Sequence, residues 1–183
     1  MVLLSTPKME KSWKAQDFKL HGVDEKFYSL ADVKGTNGLV IVFICNHCPY
    51  VKAIVSKIVR DATELKTLGI GFVAINSNDA SSFPEDSFEN MKEFAKKYNF
   101  NFPYVLDESQ EVAKKYDAVC TPDFFGFNGD LELQYRGRLD SARMEHVSDA
   151  KRELFLAMSE IAKTGELTGQ QMPSMGCSIK WKE

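Results

Sequence analysis

The sequence predicts an α/β protein with a central mixed sheet flanked by helices, and two kinds of apolar pattern support this. Residues 39–44 and 72–75 form continuous runs of mostly β-branched and aromatic residues, which suit parallel strands covered on both faces. From Val51 to Leu68 the apolar residues instead recur every three to four positions, which indicates one long amphipathic helix. Strands and helices that alternate in this way predict a sheet whose parallel strands are joined by helices.

The composition is that of a single globular domain. The 183 residues carry 23 basic and 26 acidic side chains, a formal net charge of −3, and 44% of them are apolar. That is enough to build one core, so disorder is not expected. No block of Lys and Arg suggests a nucleic-acid-binding surface. The longest apolar run, 39–45, has seven residues, whereas a membrane span needs roughly 20. We therefore expect residues 1–183 to fold as one domain that binds neither nucleic acid nor membrane.

The first predicted element is a hairpin. Apolar residues near 18–20 and 27–30 flank the turn signal Gly22-Val23-Asp24-Glu25. This pattern predicts a small hairpin that caps the core, and we assign residues 1–37 to an N-terminal hairpin extension.

Three strands and three helices are predicted to alternate after the hairpin. The long helix ends before Gly69, and a second helix fits Ser87 to Tyr98 because its apolar residues recur with helical spacing. Ser109 is expected to cap a brief helix that runs to Tyr116. The strands between these helices are predicted at residues 39–44, 72–75 and 103–106.

A second hairpin follows the third helix. Residues 124–127 and 131–135 are joined by an Asn-Gly-Asp turn, a strong hairpin signal, and predict an antiparallel pair at one edge of the sheet. Arg136 and Arg138 lie at the end of this hairpin with Asp140 nearby. We interpret this group as a solvated salt bridge rather than as part of an active site.

The last helix is predicted from Ser141 or Ser148 to Lys163. Gly165 is its stop signal, because glycine readily ends a helix. His146, near the predicted start, is expected to be a surface residue.

The C-terminal tail, residues 166–183, is expected to pack on the domain. Cys177, Ile179 and Trp181 alternate with polar residues, a period of two that indicates an extended segment with one buried face. We therefore expect Trp181 to be largely buried and Cys177 to point inward. A disulfide between Cys177 and Cys120 is left open, because the sequence does not fix connectivity.

Cys45-Asn46-His47-Cys48 lies between the first buried strand and the long helix. A thiol at a helix N-terminus lies over unpaired backbone N–H groups and the positive end of the helix dipole, which favours the thiolate. We therefore expect Cys45 to be an exposed nucleophile with a pKa below about 8.5. Cys48 is expected to be the shielded thiol that resolves a mixed disulfide by attacking Cys45. Pro49 is tolerated because a first-turn residue needs no N–H.

Two other interpretations of this pair stay open. The cysteines could be buried neighbours by accident, or they could be ligands in a metal-binding or adaptor module that holds zinc or copper. A zinc site normally needs a second ligand pair at similar spacing. Cys120 and Cys177 are isolated in the sequence, although a site built from all four cysteines remains conceivable.

The pair Thr121-Pro122 precedes a predicted strand, and an X-Pro bond is usually trans. Together with the strand-CxxC-helix unit, however, the chain resembles the thioredoxin-like superfamily, in which such a pair has a cis peptide that faces the CxxC. The chain is similar to a bacterial branch related to the alkyl hydroperoxide reductase and thiol-specific antioxidant family. The resemblance covers nearly the whole chain and depends on residues 17–20, 45–51, 121–123 and 176–181.

The resemblance implies a thioredoxin fold and thiol-disulfide exchange without a bound cofactor. It assigns Cys45 as the nucleophile, Cys48 as the resolving thiol, and a cis peptide between Thr121 and Pro122 beside the Cys45 sulfur. Backbone groups near Thr121 would then pair with an extended substrate. A His before the second cysteine also occurs in strongly oxidising members, so His47 is expected to stabilise the thiolate. The alternative is that His47 is a solvated turn residue.

Two departures from the better-known relatives limit the resemblance. Peroxiredoxins have Pro-x-x-x-Thr-x-x-Cys, and counting back from either Cys45 or Cys48 supplies neither the Thr nor the Pro. A thiol-dependent peroxidase is therefore the second hypothesis within enzymes. Thioredoxin has a buried acid six residues before its first cysteine, where this chain has Leu39. The sequence therefore names no proton acceptor for Cys48.

The expected partners follow from this chemistry. Protein or small-molecule disulfides and thiols are the expected substrates, together with an electron donor that the sequence does not identify. Residues 2–7 contain neither a basic leader nor an adequate apolar segment for secretion, so we expect a cytoplasmic protein. We also expect it to be a monomer.

Overall fold

The structure is a computed structural model that describes residues 2–8, 10, 13–142, 144–145 and 147–183. The strands in this part of the chain are β1 (Leu3–Ser5), β2 (Lys19–Gly22), β3 (Phe27–Ser29), β4 (Gly38–Phe43), β5 (Ile70–Asn76), β6 (Tyr104–Leu106), β7 (Cys120–Thr121), β8 (Asp123–Asn128), β9 (Leu133–Gly137) and β10 (Met175–Ser178). The helices are α1 (Leu30–Val33), α2 (Pro49–Thr67), α3 (Phe88–Lys97), α4 (Glu111–Lys115) and α5 (Glu153–Thr164). A single 3₁₀ turn covers Pro84–Asp86.

Seven strands form the main sheet in the order β3-β2-β6-β5-β4-β8-β9. The three central strands β6, β5 and β4 are parallel, and β8 and β9 continue the sheet as antiparallel strands. The α/β class, the mixed sheet and the antiparallel pair at one edge are therefore confirmed. A smaller sheet, β1-β10-β7, joins the two ends of the chain to the segment before β8.

The N-terminal hairpin differs from its prediction. Instead of capping the core, it extends the main sheet, because β2 pairs antiparallel with β6 through His21 opposite Leu106 and Gly22 opposite Val105. Without β2, the short strand β6 would leave a row of unpaired backbone groups at the sheet edge. The hairpin thus completes the sheet on the side opposite β9.

Helices cover both faces of the sheet. Every residue of β4 is buried, and its side chains alternate between two apolar clusters. Val40 and Val42 pack on the face that holds α2, α3 and α5, whereas Leu39, Ile41 and Phe43 pack on the face that holds α1 and α4. Because β4 is buried and paired on both sides, by β5 and β8, it positions the residues that follow it.

The starts of two helices differ from the sequence-based predictions. α4 begins after Gln110, so Ser109 lies one residue before the N-cap position, although its hydroxyl accepts a hydrogen bond from the Glu111 N–H. The carboxylate of Asp107 accepts from the N–H groups of Val112 and Ala113. α5 begins at Glu153 rather than at Ser141 or Ser148. Arg152 precedes α5 and ties it to α2 by ion pairs with Asp61 and Glu64.

Two further predictions bear on the segment before α5 and on membranes. His146 lies outside the described residues.

Among the helices that the structure describes, none has both the length and the apolar character needed to cross a membrane.

Candidate active site

The cysteine pair lies between the end of β4 and the start of α2. Cys48 is the N-cap residue of α2, with extended backbone angles (φ −63°, ψ 122°), and Pro49 is the first helical residue. A residue before proline is disfavoured in the helical region, so the helix cannot include Cys48. The prediction that Cys45 lies on the helix terminus is therefore wrong. Cys48 occupies that position, three residues later.

Both sulfurs are buried, and both residues are 0% exposed. The prediction of an exposed Cys45 is wrong in this respect as well. Cys48 Sγ lies 2.9 Å from Cys177 Sγ and 3.2 Å from the Thr121 carbonyl oxygen. Cys45 Sγ lies 3.3 Å from the Thr121 hydroxyl oxygen. Three thiols and one threonine thus form a closed cluster at the end of β4.

The two thiols differ in pKa. Cys48 has the lower value and Cys45 the higher one, which is the reverse of the prediction. A hydrogen bond from the Cys45 thiol, with further help from Cys177 and the Val51 N–H, lowers the pKa of Cys48 to about 5. The same hydrogen bond, together with burial and the nearby Asp86 charge, raises the pKa of Cys45 well above its ordinary range. These opposite shifts favour ionisation of Cys48 before Cys45.

His47 pairs with an aspartate rather than with a sulfur. Its Nδ1 lies 2.6 Å from Asp86 Oδ2, and its ring stacks on Phe83 with the ring centroids 5.5 Å apart. Asp86 is 0% exposed and also accepts hydrogen bonds of 2.7 Å from the Asn46 N–H and from the Asn78 side chain. His47 is thus a partly buried component of a polar network and not a solvated turn residue.

Asp86 is the site residue that the sequence did not reveal. It lies about 40 positions after the cysteines, in the 3₁₀ turn before α3, and no motif marks it. The nearest signal in the sequence is the polar run 76–79 at the end of β5, because loops at the carboxyl ends of strands frequently form sites in α/β sheets. Asn78 of that run does hold Asp86 in place.

The peptide bond between Thr121 and Pro122 is cis, as predicted. Thr121 faces both cysteines, through its hydroxyl to Cys45 and its carbonyl to Cys48. The backbone edge predicted to receive a substrate is occupied by the chain's own tail, because β10 pairs antiparallel with β7 and places Cys177 opposite Thr121. The alternating pattern of the tail made it a suitable strand for this edge.

The tail is only partly as predicted. Cys177 and Ile179 are buried, at 1% and 3% exposure, whereas Trp181 is 42% exposed. Beyond Ile179 the backbone is held by loops instead of a strand, since the Lys180 N–H donates to Asn78 Oδ1 and the Lys182 N–H donates to Gln110 Oε1. The period of two therefore ends before Trp181, and the prediction that Trp181 is buried is wrong.

No disulfide joins any of the four cysteines. The partner left open for Cys177, Cys120, lies opposite Ser178 in the β7–β10 pairing. Its sulfur lies 3.7 Å from the Pro122 carbonyl oxygen, and burial raises the pKa of its thiol. Cys120 is thus an inert buried thiol beside the cluster.

A metal ion could be shared by three side chains within the described part of the chain. The Cys45 sulfur, a His47 nitrogen and an Asp86 oxygen lie within 4.8 Å of one another. This group includes one cysteine of the CxxC instead of both, and Asp86 already accepts hydrogen bonds from its neighbours. The donors suit zinc or copper in type, since both metals accept thiolate and imidazole ligands.

The two arginines after β8, Arg136 and Arg138, both pair with acidic residues, and these partners differ from the predicted one. Arg136 is buried and bonds to Asp123 at 2.8 Å, whereas Asp140 pairs with Lys57. Arg138 pairs with Glu153. Burial raises the pKa of Asp123 to about 6 despite its arginine partner. The predicted solvated salt bridge within the group Arg136, Arg138 and Asp140 is therefore wrong, because each of the three pairs with a residue outside it.

Comparison with known proteins places the chain among structural and sequence relatives. An uncharacterised conserved protein from Geobacillus kaustophilus has 45% identity and a TM-score of 0.94, with 100% of this chain and 97% of that chain covered. Among curated proteins, the thiol-disulfide oxidoreductase ResA of Bacillus subtilis is 28% identical over 114 residues, which is 62% of this chain. The match spans 59% of the length of that relative.

The fold has counterparts at lower identity. The thioredoxin domain of a thiol-disulfide oxidoreductase from Bacteroides vulgatus has a TM-score of 0.60 and 14% identity, covering 70% of this chain and 89% of that one. The central β4-α2-β5 unit, the CxxC between β4 and α2, and the cis peptide before β8 make the fold that of thioredoxin. The sequence profile of the AhpC/TSA family matches residues 12–139. The chain therefore belongs to the AhpC/TSA family.

Proposed function

We propose that the protein is a thiol-disulfide oxidoreductase that cycles Cys45 and Cys48 between dithiol and disulfide. One observation supports this above the others: Cys45 and Cys48 lie at the N-terminus of α2 beside the cis Thr121–Pro122 peptide, and their sulfurs lie 3.3 Å and 3.2 Å from the hydroxyl and carbonyl oxygens of Thr121. A thiol with a lowered pKa is the reactive species in such exchange.

The roles of the two sulfurs follow from their positions. Cys48 holds the thiolate in the resting dithiol, and the proton of the Cys45 thiol lies on the hydrogen bond between them. Transfer of that proton to Cys48 creates a Cys45 thiolate, which attacks one sulfur of a substrate disulfide and releases the other as a thiolate. The departing thiolate takes the proton of Cys48, and the Cys48 thiolate then attacks Cys45 and releases the second substrate sulfur.

The polar groups around the pair keep it in this arrangement. The Thr121 hydroxyl contacts Cys45, and Asp86 holds the Asn46 backbone and the His47 ring. We propose protein or small-molecule disulfides as the substrates and a separate thiol as the electron donor. We also propose that the protein acts as a monomer in the cytoplasm.

Reduction of insulin disulfides by the pre-reduced protein tests this function. The wild-type protein should release insulin thiols stoichiometrically, and Cys45→Ser should lose this ability by at least 100-fold. The matched control is Cys120→Ser, a buried cysteine outside the reacting pair, which should retain the wild-type rate. A wild-type protein that leaves insulin and oxidised glutathione unreduced would contradict the proposal.

A thiol-dependent peroxidase is the second candidate, and two observations favour it: the family to which the chain belongs and the Thr121 hydroxyl 3.3 Å from Cys45 Sγ. In this reaction the Cys45 thiolate attacks one oxygen of a peroxide and breaks the O–O bond. Cys45 becomes a sulfenic acid, and the other oxygen leaves as water or an alcohol. Cys48 then condenses with the sulfenic acid to give the disulfide and water. Stopped-flow mixing of the reduced protein with hydrogen peroxide separates the candidates, since rapid oxidation without a protein disulfide supports the peroxidase.

A metal-binding adaptor is the third candidate. It depends on the Cys45, His47 and Asp86 group. Zinc and copper content of the purified protein, measured with a count of titratable thiols, tests it. About one equivalent of metal with Cys45 protected from alkylation would favour this role over exchange.

A further inference from the structure

A third cysteine reaches the redox pair from the other end of the chain. Cys177 Sγ lies 2.9 Å from Cys48 Sγ, and a disulfide bond is about 2.05 Å long. A shift of less than about 1 Å would therefore bring these sulfurs to bonding distance. The AhpC/TSA profile ends at residue 139, so this cysteine lies outside the matched region.

The position of Cys177 is fixed by strand pairing. β10 lies between β1 and β7, with Cys177 opposite Leu3 on one side and opposite Thr121 on the other. The backbone of Gly176 lies so close to Thr121 that an added Cβ would be 1.9 Å from the Thr121 carbonyl oxygen. Cys177 is 1% exposed. The short distance between the sulfurs is thus set by two ladders of backbone hydrogen bonds and by the packing of a glycine.

We propose that Cys177 is a third redox residue, which exchanges with the Cys45–Cys48 disulfide to form a Cys48–Cys177 disulfide. This inference rests on the proposed exchange function, because that reaction supplies the Cys45–Cys48 disulfide. The Cys177 sulfur attacks Cys48 Sγ, so the Cys48–Cys177 bond forms and the Cys45–Cys48 bond breaks. Cys45 leaves as a thiolate and takes the proton that Cys177 gives up. One disulfide is present before and after, so no external oxidant or reductant is needed.

Cys48 is the sulfur common to both disulfides. It lies between the other two thiols, with a hydrogen bond to Cys45 on one side and Cys177 on the other. Exchange through Cys177 returns Cys45 to the thiol form while the oxidising equivalents stay within the protein. The new bond also joins β10 covalently to the start of α2. Oxidation would in this way fasten the tail over the site.

Peptide mapping of oxidised variants tests the proposal. The protein and its variants are equilibrated with oxidised glutathione, quenched with acid, alkylated, digested without reductant and analysed by mass spectrometry. In Cys45→Ser we expect a Cys48–Cys177 linkage in most of the chains. In the wild type we expect both linkages, and in Cys177→Ser only Cys45–Cys48. The control variant Cys120→Ser should give the wild-type pattern.

The outcomes separate this inference from the proposed function. If the wild type reduces insulin but Cys45→Ser keeps two unlinked thiols at 48 and 177, the inference is overturned and the exchange function stands. A wild type that is inert toward insulin while Cys45→Ser forms the linkage contradicts the function and supports the 48–177 couple. If Cys45→Ser does not fold, the wild-type map decides, because absence of Cys48–Cys177 there overturns the inference.

Discussion

Pro49 determines which cysteine caps α2. A CxxC followed by proline keeps the second cysteine in an extended conformation, so the helix begins after it. Cys48 therefore lies at the helix terminus and Cys45 lies in the turn before it. The motif predicted a pair of thiols at the junction of a strand and a helix. It did not predict which of them has the lower pKa, because that depends on one backbone angle and on neighbours far away in sequence.

The thiolate on Cys48 gives the first prediction. Absorbance of the reduced protein at 240 nm should rise with a midpoint near pH 5, because hydrogen bonds from Cys45 and Cys177 stabilise that thiolate. The step should be lost in Cys48→Ser and kept in Cys120→Ser. Because the pKa of Cys48 is lowered on folding, its ionisation stabilises the reduced fold above the ordinary thiol pKa, and this stability is lost as pH falls through about 5. A first step near pH 8.5 would refute the assignment.

Asp86 and His47 give the second prediction, which concerns the redox potential. Asp86→Asn removes a negative charge close to Cys45, so the reduced form, which contains a thiolate, should be favoured. The disulfide should therefore become more oxidising. Its potential rises by roughly 30 mV for each tenfold change in the equilibrium constant. His47→Ala should shift the potential in the opposite direction, because the Asp86 carboxylate loses a hydrogen-bonding partner.

Titration against glutathione measures both potentials. Asp79→Asn is a matched control, because Asp79 bonds to Ser81 and its carboxylate is outside the network of Asp86. Equal potentials for Asp86→Asn and the wild type would exclude a role for this network.

Among the elements, β10 has the greatest influence on the site. It fills the backbone edge of Thr121 and supplies Cys177. The alternation of Cys177 and Ile179 predicted an extended tail with a buried face, and this is what the structure shows. The exposed Trp181 was not predicted, because contacts with Asn78 and Gln110 replace the strand beyond Ile179. Such long-range contacts leave no local pattern in the sequence.

Gly176→Ala gives the third prediction. The new methyl group would meet the Thr121 carbonyl oxygen at 1.9 Å, so β10 must move away from β7. We expect a loss of stability of about 1–3 kcal/mol, as for other overpacked sites, and a several-fold faster alkylation of Cys48 by iodoacetamide.

The control for this prediction is Gly169→Ala, because an added Cβ there has nothing within 4 Å. Its stability should stay within about 0.5 kcal/mol of the wild type. If both variants alkylate at the wild-type rate, β10 does not restrict access to Cys48.

At the scale of the whole molecule, the sequence predicted the main sheet well and its edges less well. The continuous apolar runs marked β4 and β5, and the helical periodicity marked α2, because buried parallel strands and long amphipathic helices have strong local patterns. The place of the N-terminal hairpin and the small sheet β1-β10-β7 were not predicted. Pairing between distant, short strands depends on which edges are left open, and this is a property of the folded molecule.

Removal of the tail gives the fourth prediction. A chain that ends at Met172 loses β10 and the buried Ile179, which alone contributes about 1.5–3 kcal/mol. Each kcal/mol changes the Tm of a domain of this size by roughly 2–4 °C, so we expect the Tm to fall by several degrees.

Lys182→Ala is the control for the truncation, since the Lys182 side chain is exposed and should change the Tm little. Thermal unfolding followed by circular dichroism measures both variants. A truncated chain that melts together with the full-length protein would show that the tail does not contribute to the fold.

The pairing of β1 with β10 has a practical consequence for anyone who produces this protein. The Val2 carbonyl accepts a hydrogen bond from the Ser178 N–H, so any polypeptide fused ahead of Val2 leaves the molecule one residue away from Cys177. An affinity tag at the amino end would thus begin next to the β1–β10 pairing, which positions Cys177. Thiol reactivity measured on the tagged protein should be compared with that of the protein after the tag has been cleaved, since the tag itself is an experimental variable.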